Sequence, residues 1–191
     1  FLMRLVWITG AWNLMADMAL IALVLHAQEN LGLGAPAYGL VLAAGAVGGV
    51  AGGLIGEHVV RRFGAGRTAQ IGGVLGVPVF LGIAWAQGPW VAAALLAAFQ
   101  FAGLLWDTVS TAYRQRRIPD GLRGRVHAIY RLVSFTAIPL GMLLSGVLVE
   151  SAQTIMPRDV ALTVPFYVAS TGMLILNVMI WTSIRRGFDA G

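Results

Sequence analysis

The chain has 191 residues, 58% of them hydrophobic and only 11% charged, where a soluble domain carries about a quarter charged residues. That is too little charge to cover a water-soluble body, so the surface faces lipid. The net charge of +5 comes from 13 arginines and no lysines, clustered between apolar runs as the loop charge of a membrane protein, and this placement argues against a nucleic-acid partner.

Six apolar runs fall at roughly 4–26, 37–59, 68–86, 90–112, 127–149 and 162–184. At about 1.5 Å per residue each crosses a hydrocarbon core of ~30 Å as a helix. The alternation of a barrel strand is absent, and only a helix or a closed barrel satisfies its own backbone in lipid. The expected fold is therefore all-α: a single six-helix transmembrane bundle over residues 1–191.

The first run carries Asn13 and Asp17, one turn apart on one face. An ionisable residue inside a span is a functional candidate by default. Asp17 reads either as a proton or cation site or as a structural carboxyl bonded to a neighbouring helix. In the second run, Gly45, Gly49 and Gly53 repeat every four residues beside Gly48, Gly52 and Gly56, a smooth stripe for a close neighbour. A dinucleotide-binding loop would need a strand before these glycines and a helix after them. The turn RRFGAGR follows, with Arg61, Arg62, Gly64 and Arg67, and Glu57 is the nearest acid.

Trp85, Trp90 and Trp181 fall near predicted helix ends, where an aromatic belt is expected. In the fourth run Gln100 and Asp107 are seven apart and share a face, the expected lining of a cavity. Trp106 either stacks on a flat ligand or packs against lipid or a helix. Asp107 and Arg131 lie at matched depths, each about 7 Å from the membrane edge by helical rise. The reading is an ion pair that holds the fourth and fifth helices in register, or that breaks as a gate. The break between them, YRQRRIPDGLRGR, is expected to lie as a short amphipathic turn. Pro139 and Gly141 interrupt the fifth run as a working bend or a fixed kink. His26, His58 and His127 read as surface residues. With no cysteine and no acid or thiol at metal spacing, no metal site or cofactor is expected.

Orientation follows from arginine. With the first helix starting inside, Arg4, Arg61, Arg62, Arg67, Arg114, Arg116, Arg117, Arg123, Arg125, Arg131, Arg185 and Arg186 are cytoplasmic and Arg158 alone is outside. Twelve against one puts both termini of the segment in the cytoplasm.

Two stretches resemble a known family. AQENLGLGAPAYGLVLAAGAVGG with RRFGAGR, and LWDTVSTAYRQRRIPDGLRGRVHAIYRLVSFTAIPLG, look like the carboxy-terminal half of a major facilitator superfamily permease. The likeness is to the branch of bacterial enterobactin exporters and macrolide-efflux proteins, and it covers essentially the whole chain. It implies half of a twelve-helix fold made of two inverted three-helix repeats, in a bacterial inner membrane. It also implies that a six-helix amino-terminal half precedes Phe1. RRFGAGR resembles the superfamily's loop signature through Arg62, Gly64 and Arg67, but Arg61 stands where the signature has aspartate. By resemblance the first and fourth helices line the central cavity.

The implied activity is secondary transport, with efflux of a small amphipathic compound such as a drug or siderophore coupled to protons. It works by alternating access. The partners are lipid, the small-molecule substrate, protons and the missing half. Asp17, Asn13, Gln100 and Trp106 are the expected binding residues. Two other readings stand beside this one. One is a partial or inactive fragment that needs its other half. The other is a six-helix intramembrane enzyme, against which no nucleophile and histidine share a depth.

Overall fold

The computed structural model describes residues 2–189, and all side chains among these except those of Asp120, Arg123 and Asp189. Arg123, counted above with the cytoplasmic arginines, thus lies outside the described side chains. Six long helices account for nearly all of the chain. They are α1 (Leu2–Leu25), which runs on into a π-helical turn at His26–Asn30, α2 (Ala35–Phe63), α3 (Ala65–Ala84), α4 (Pro89–Arg117), α5 (Asp120–Ala152) and α7 (Val164–Asp189). A four-residue helix, α6 (Arg158–Ala161), precedes the last. No strand occurs among the described residues. Six helical stretches are long and apolar enough to cross a membrane, in the order the apolar runs predict.

Local chemistry sets the breaks. Gly34 and Gly88 take extended backbone before α2 and α4, each with proline in the first turn, where its missing N–H costs nothing. Gly64 separates α2 from α3 with φ +84°, and its N–H bonds the Val60 carbonyl. A left-handed φ of this kind suits glycine alone. Between α4 and α5 the chain turns on Ile118 and Pro119, with Ile118 extended before the proline, as the ring demands. The helices therefore run through the arginine-rich segment. The expected amphipathic turn is absent, because the proline concentrates the whole reversal into two residues.

The principal pairings are α2 with α4, α1 with α5, α3 with α7, α3 with α4 and α1 with α7. Exchanging α1 for α4, α2 for α5 and α3 for α7 maps this set onto itself. The two triplets start at opposite membrane faces, so they are inverted repeats of one another.

The α2–α4 seam is made by glycine. Gly45, Gly48, Gly52 and Gly56 are buried, while Gly53 is exposed with open space beside it. A Cβ at Gly48 would collide with the Ala97 backbone, and one at Gly52 would stand 2.6 Å from the Phe101 carbonyl oxygen. In the other triplet Gly141 of α5 likewise meets the Leu14 backbone of α1. Lipid supplies no hydrophobic drive between helices, so such close backbone contact carries the association.

Polar side chains join α3 to α7. Gln70 Nε2 donates to the Trp181 carbonyl at 2.7 Å, Asn177 Nδ2 to the Gly73 carbonyl at 3.0 Å, and Ser170 Oγ to the Val77 carbonyl at 2.9 Å. Where α1 meets α4, Trp12 stacks on Phe99 with ring centroids 5.1 Å apart.

Candidate functional site

The pairings leave one side of the bundle open. There α1 and α4 form a floor, α5 and α2 flank it, and α3 and α7 back it. At 100° per residue, Asn13 and Asp17 fall on the strip of α1 between its contact with α4 (through Trp12) and its contact with α5 (through Gly10 and Leu14). Gln100 and Asp107 fall on the strip of α4 between Phe99 and Gly103, which meet Trp12, and Ala97, Phe101 and Leu104, which meet α2. Both polar strips border the same groove.

Asn13 donates from Nδ2 to the Ser134 carbonyl of α5 at 3.2 Å. One turn nearer the arginine-rich end, Tyr130 Oη donates to Thr9 Oγ1 at 2.9 Å. These two rungs fix α5 beside α1 and occupy the Asn13 amide. Asp17 is half-buried and makes no hydrogen bond or ion pair with the described residues. Gln100 is half-buried, its stem against Gly45 and Gly49. The bend residues divide their work. Pro139 is exposed within a helix that continues through it, and Gly141 is the buried seat for α1.

Three expectations are corrected. Asp107 and Arg131 are not brought together: α4 and α5 are consecutive in sequence, but each packs mainly on another helix. Asp107 is exposed, and the Arg131 guanidinium lies over the Phe135 ring, 5.0 Å from its centroid. Trp106 does not line the groove. It is buried at the arginine-rich end with Leu5, Ile184 and the edge of Phe188, because position 106 turns toward α3, where Gly72 admits it. His26 is not a surface residue. It is 2% exposed, edge-on to Phe166, with Asn30 Nδ2 3.0 Å from its Nδ1. The π turn carries it inward from the helix end. His58 and His127 are exposed.

In the turn RRFGAGR, Arg61 pairs with Glu57 one turn earlier at 3.4 Å, and Arg62 and Arg67 are exposed. At the opposite end Arg158 grips Glu29 with two bonds of 2.6 and 2.8 Å, and Asn30 donates to the Asp159 carbonyl at 2.8 Å. An apolar groove of about 570 Å³ between α1 and α5, lined by Trp7, Leu14, Leu132 and Leu140 among others, holds none of the polar candidates.

One residue of the groove strip was missed from sequence. Continuing the spacing of Gln100 and Asp107 by seven more residues reaches Arg114, which reads as loop charge because it stands among Arg116 and Arg117. In the structure it is 8% exposed.

Six membrane-length helices in two inverted triplets, with the polar side chains of two facing strips along one groove, make up a membrane transporter domain. A sequence profile described as Major Facilitator Superfamily matches residues 6–189. The chain belongs to the major facilitator superfamily, whose members are transporters. It matches no curated protein.

Proposed function

We propose that the chain is the carboxy-terminal half of a proton-coupled exporter of a small amphipathic compound, akin to the enterobactin and macrolide exporters that its sequence resembles. In this reading a six-helix amino-terminal half closes the groove from the far side. The arginine-rich end faces the cytoplasm of a bacterial cell, and the two halves rock about a midplane site.

Asp17 carries the reading. A carboxylate in a span is expensive unless it is paired or coordinated, and this one has no partner among the described residues. Taking up a proton removes the charge, and giving the proton up to water on the other face restores it. Asn13 one turn away is bonded to α5, so the charge state of Asp17 sits beside the α1–α5 contact. Gln100 across the groove supplies a polar contact for the cargo. Asp107 and Arg131, exposed at one end, are open to partners in the other half.

The test is flux in proteoliposomes, with the amino-terminal half co-expressed or omitted. An imposed pH gradient should drive accumulation of a fluorescent amphipathic dye only when both halves are present. Asp17→Asn should abolish the response to the gradient while downhill movement persists, and Asp17→Glu should retain it. Gradient-driven accumulation that survives Asp17→Asn removes the assignment.

A further inference from the structure

Arg114 stands in the last turn of α4, where arginines normally reach water, and yet it is buried. Its guanidinium lies over the Tyr130 ring of α5, 3.6 Å from the centroid. Nη2 donates to Thr111 Oγ1 at 3.0 Å. Nη1 is fully enclosed and has no hydrogen-bond partner among the described residues. No described carboxylate comes within ion-pairing distance; Asp107, two turns earlier on the same face of α4, interacts with Arg114 only through longer-range charge. Arginine cannot shed its charge, and a buried cation without a direct ion-pair partner is costly. A ring and one hydroxyl recover only part of that cost.

Three other buried polar atoms on these helices lack partners among the described residues: Trp106 Nε1, packed away toward α3, and two hydroxyls. Ser110 Oγ is one turn before Arg114 on α4, and Ser134 Oγ is one turn after Tyr130 on α5. A guanidinium N–H, which can only donate, and two hydroxyls, which can donate or accept, together suit an oxyanion. Apart from Asp107, the charges nearby have the matching sign. Arg116, Arg117 and Arg131 are exposed at this end, and Glu57 is tied to Arg61.

We propose that Arg114, with Ser110 and Ser134, receives the anionic group of the transported compound. This rests on the transporter reading and names the substrate class, an amphiphile bearing a carboxylate, sulfonate or phosphate. The site is closed in this conformation. The Tyr130 ring covers the guanidinium and is itself held from α1 through Thr9. It opens when the arginine-rich ends of α4 and α5 part, so the anion enters from that side.

The chain has no cysteine, so Ser110→Cys places a single thiol one turn from Arg114. It is labelled in phosphatidylcholine vesicles with an anionic (sulfonatoethyl) and a cationic (trimethylammonioethyl) methanethiosulfonate, each rate taken relative to that with a small free thiol. The anionic reagent should be favoured about tenfold, the lower end of what a focused charge does to local ion concentration. Ser110→Cys with Arg114→Lys should keep the preference, and Ser110→Cys with Arg114→Gln should lose it. A preference that survives Arg114→Gln, its absence or loss with Arg114→Lys, or a thiol that neither reagent reaches overturns the proposal. Labelling needs no flux, so this result is independent of that for Asp17→Asn.

Discussion

Gly52 sits where α2 lies against α4. A Cβ at that position would stand 2.6 Å from the Phe101 carbonyl oxygen and 3.1 Å from the Leu104 Cβ. Carbon and carbonyl oxygen ordinarily meet at about 3.3 Å, so Gly52→Ala forces the two backbones apart by about 0.7 Å. Neither atom ends a flexible side chain, and Gly48 and Gly56 hold the same seam on either side, so the strain cannot be relieved locally. Overpacking of this kind costs about 1–3 kcal/mol. Gly53, the next residue, has open space where its Cβ would go, and Gly53→Ala meets nothing. Both substitutions gain the same helix propensity, up to about 1 kcal/mol, so the difference between the two variants isolates the overpacking cost. Unfolding in mixed micelles with a rising fraction of dodecyl sulfate, followed by circular dichroism, measures it. Gly52→Ala should unfold earlier than Gly53→Ala by about 1–3 kcal/mol. Equal stability of the two would refute the seam.

Asn177→Leu removes the bonds from Nδ2 to the Gly73 and Met173 carbonyls and should cost about 0.6–1.7 kcal/mol in the same assay. No loss would show that α3 and α7 are held by packing alone. At the opposite end, Glu29→Gln and Arg158→Gln should each speed hydrogen exchange in residues 26–30 and 153–162. The double variant should exchange no faster than the single ones, and 1 M salt should mimic them, since the pair is exposed to screening. Slow exchange in both single variants would mean that the Asn30–Asp159 bond holds this loop by itself.

The architecture was legible because lipid makes such strict demands. Runs of the right length, with all arginines but Arg158 gathered at alternate ends, gave six helices in order. The glycine row was legible too, although its members meet α4 unequally: 45, 48, 52 and 56 are buried against it, 49 touches it only at ordinary contact distance, and 53 not at all. Periodicity tells which residues share a face but not which helix covers it. That is why Asp107 and Arg131 looked like neighbours: matched depth on consecutive helices says nothing when α4 turns to α2 and α3, and α5 to α1. Trp106 failed for the same reason, one position of rotation separating the groove strip from the core. Arg114 was hidden by its company. In a run of arginines the buried one has the same letter as the solvated ones, and only the seven-residue spacing from Asp107 marks it.

The exchange of α1–α3 for α4, α5 and α7 has a mechanical corollary. A slide of α1 along α5 has a counterpart in a slide of α4 along α2, at the other leaflet and with like contacts, so packing alone leaves the domain indifferent to which end yields. Sidedness then has to reside in features without a twin: four seated glycines on α2 against one on α5, the Glu29–Arg158 clasp at one rim, and the Arg114–Tyr130 stack at the other. Trimming the clasp or the stack would retune the preference of the domain for one leaflet while the bundle itself stays whole.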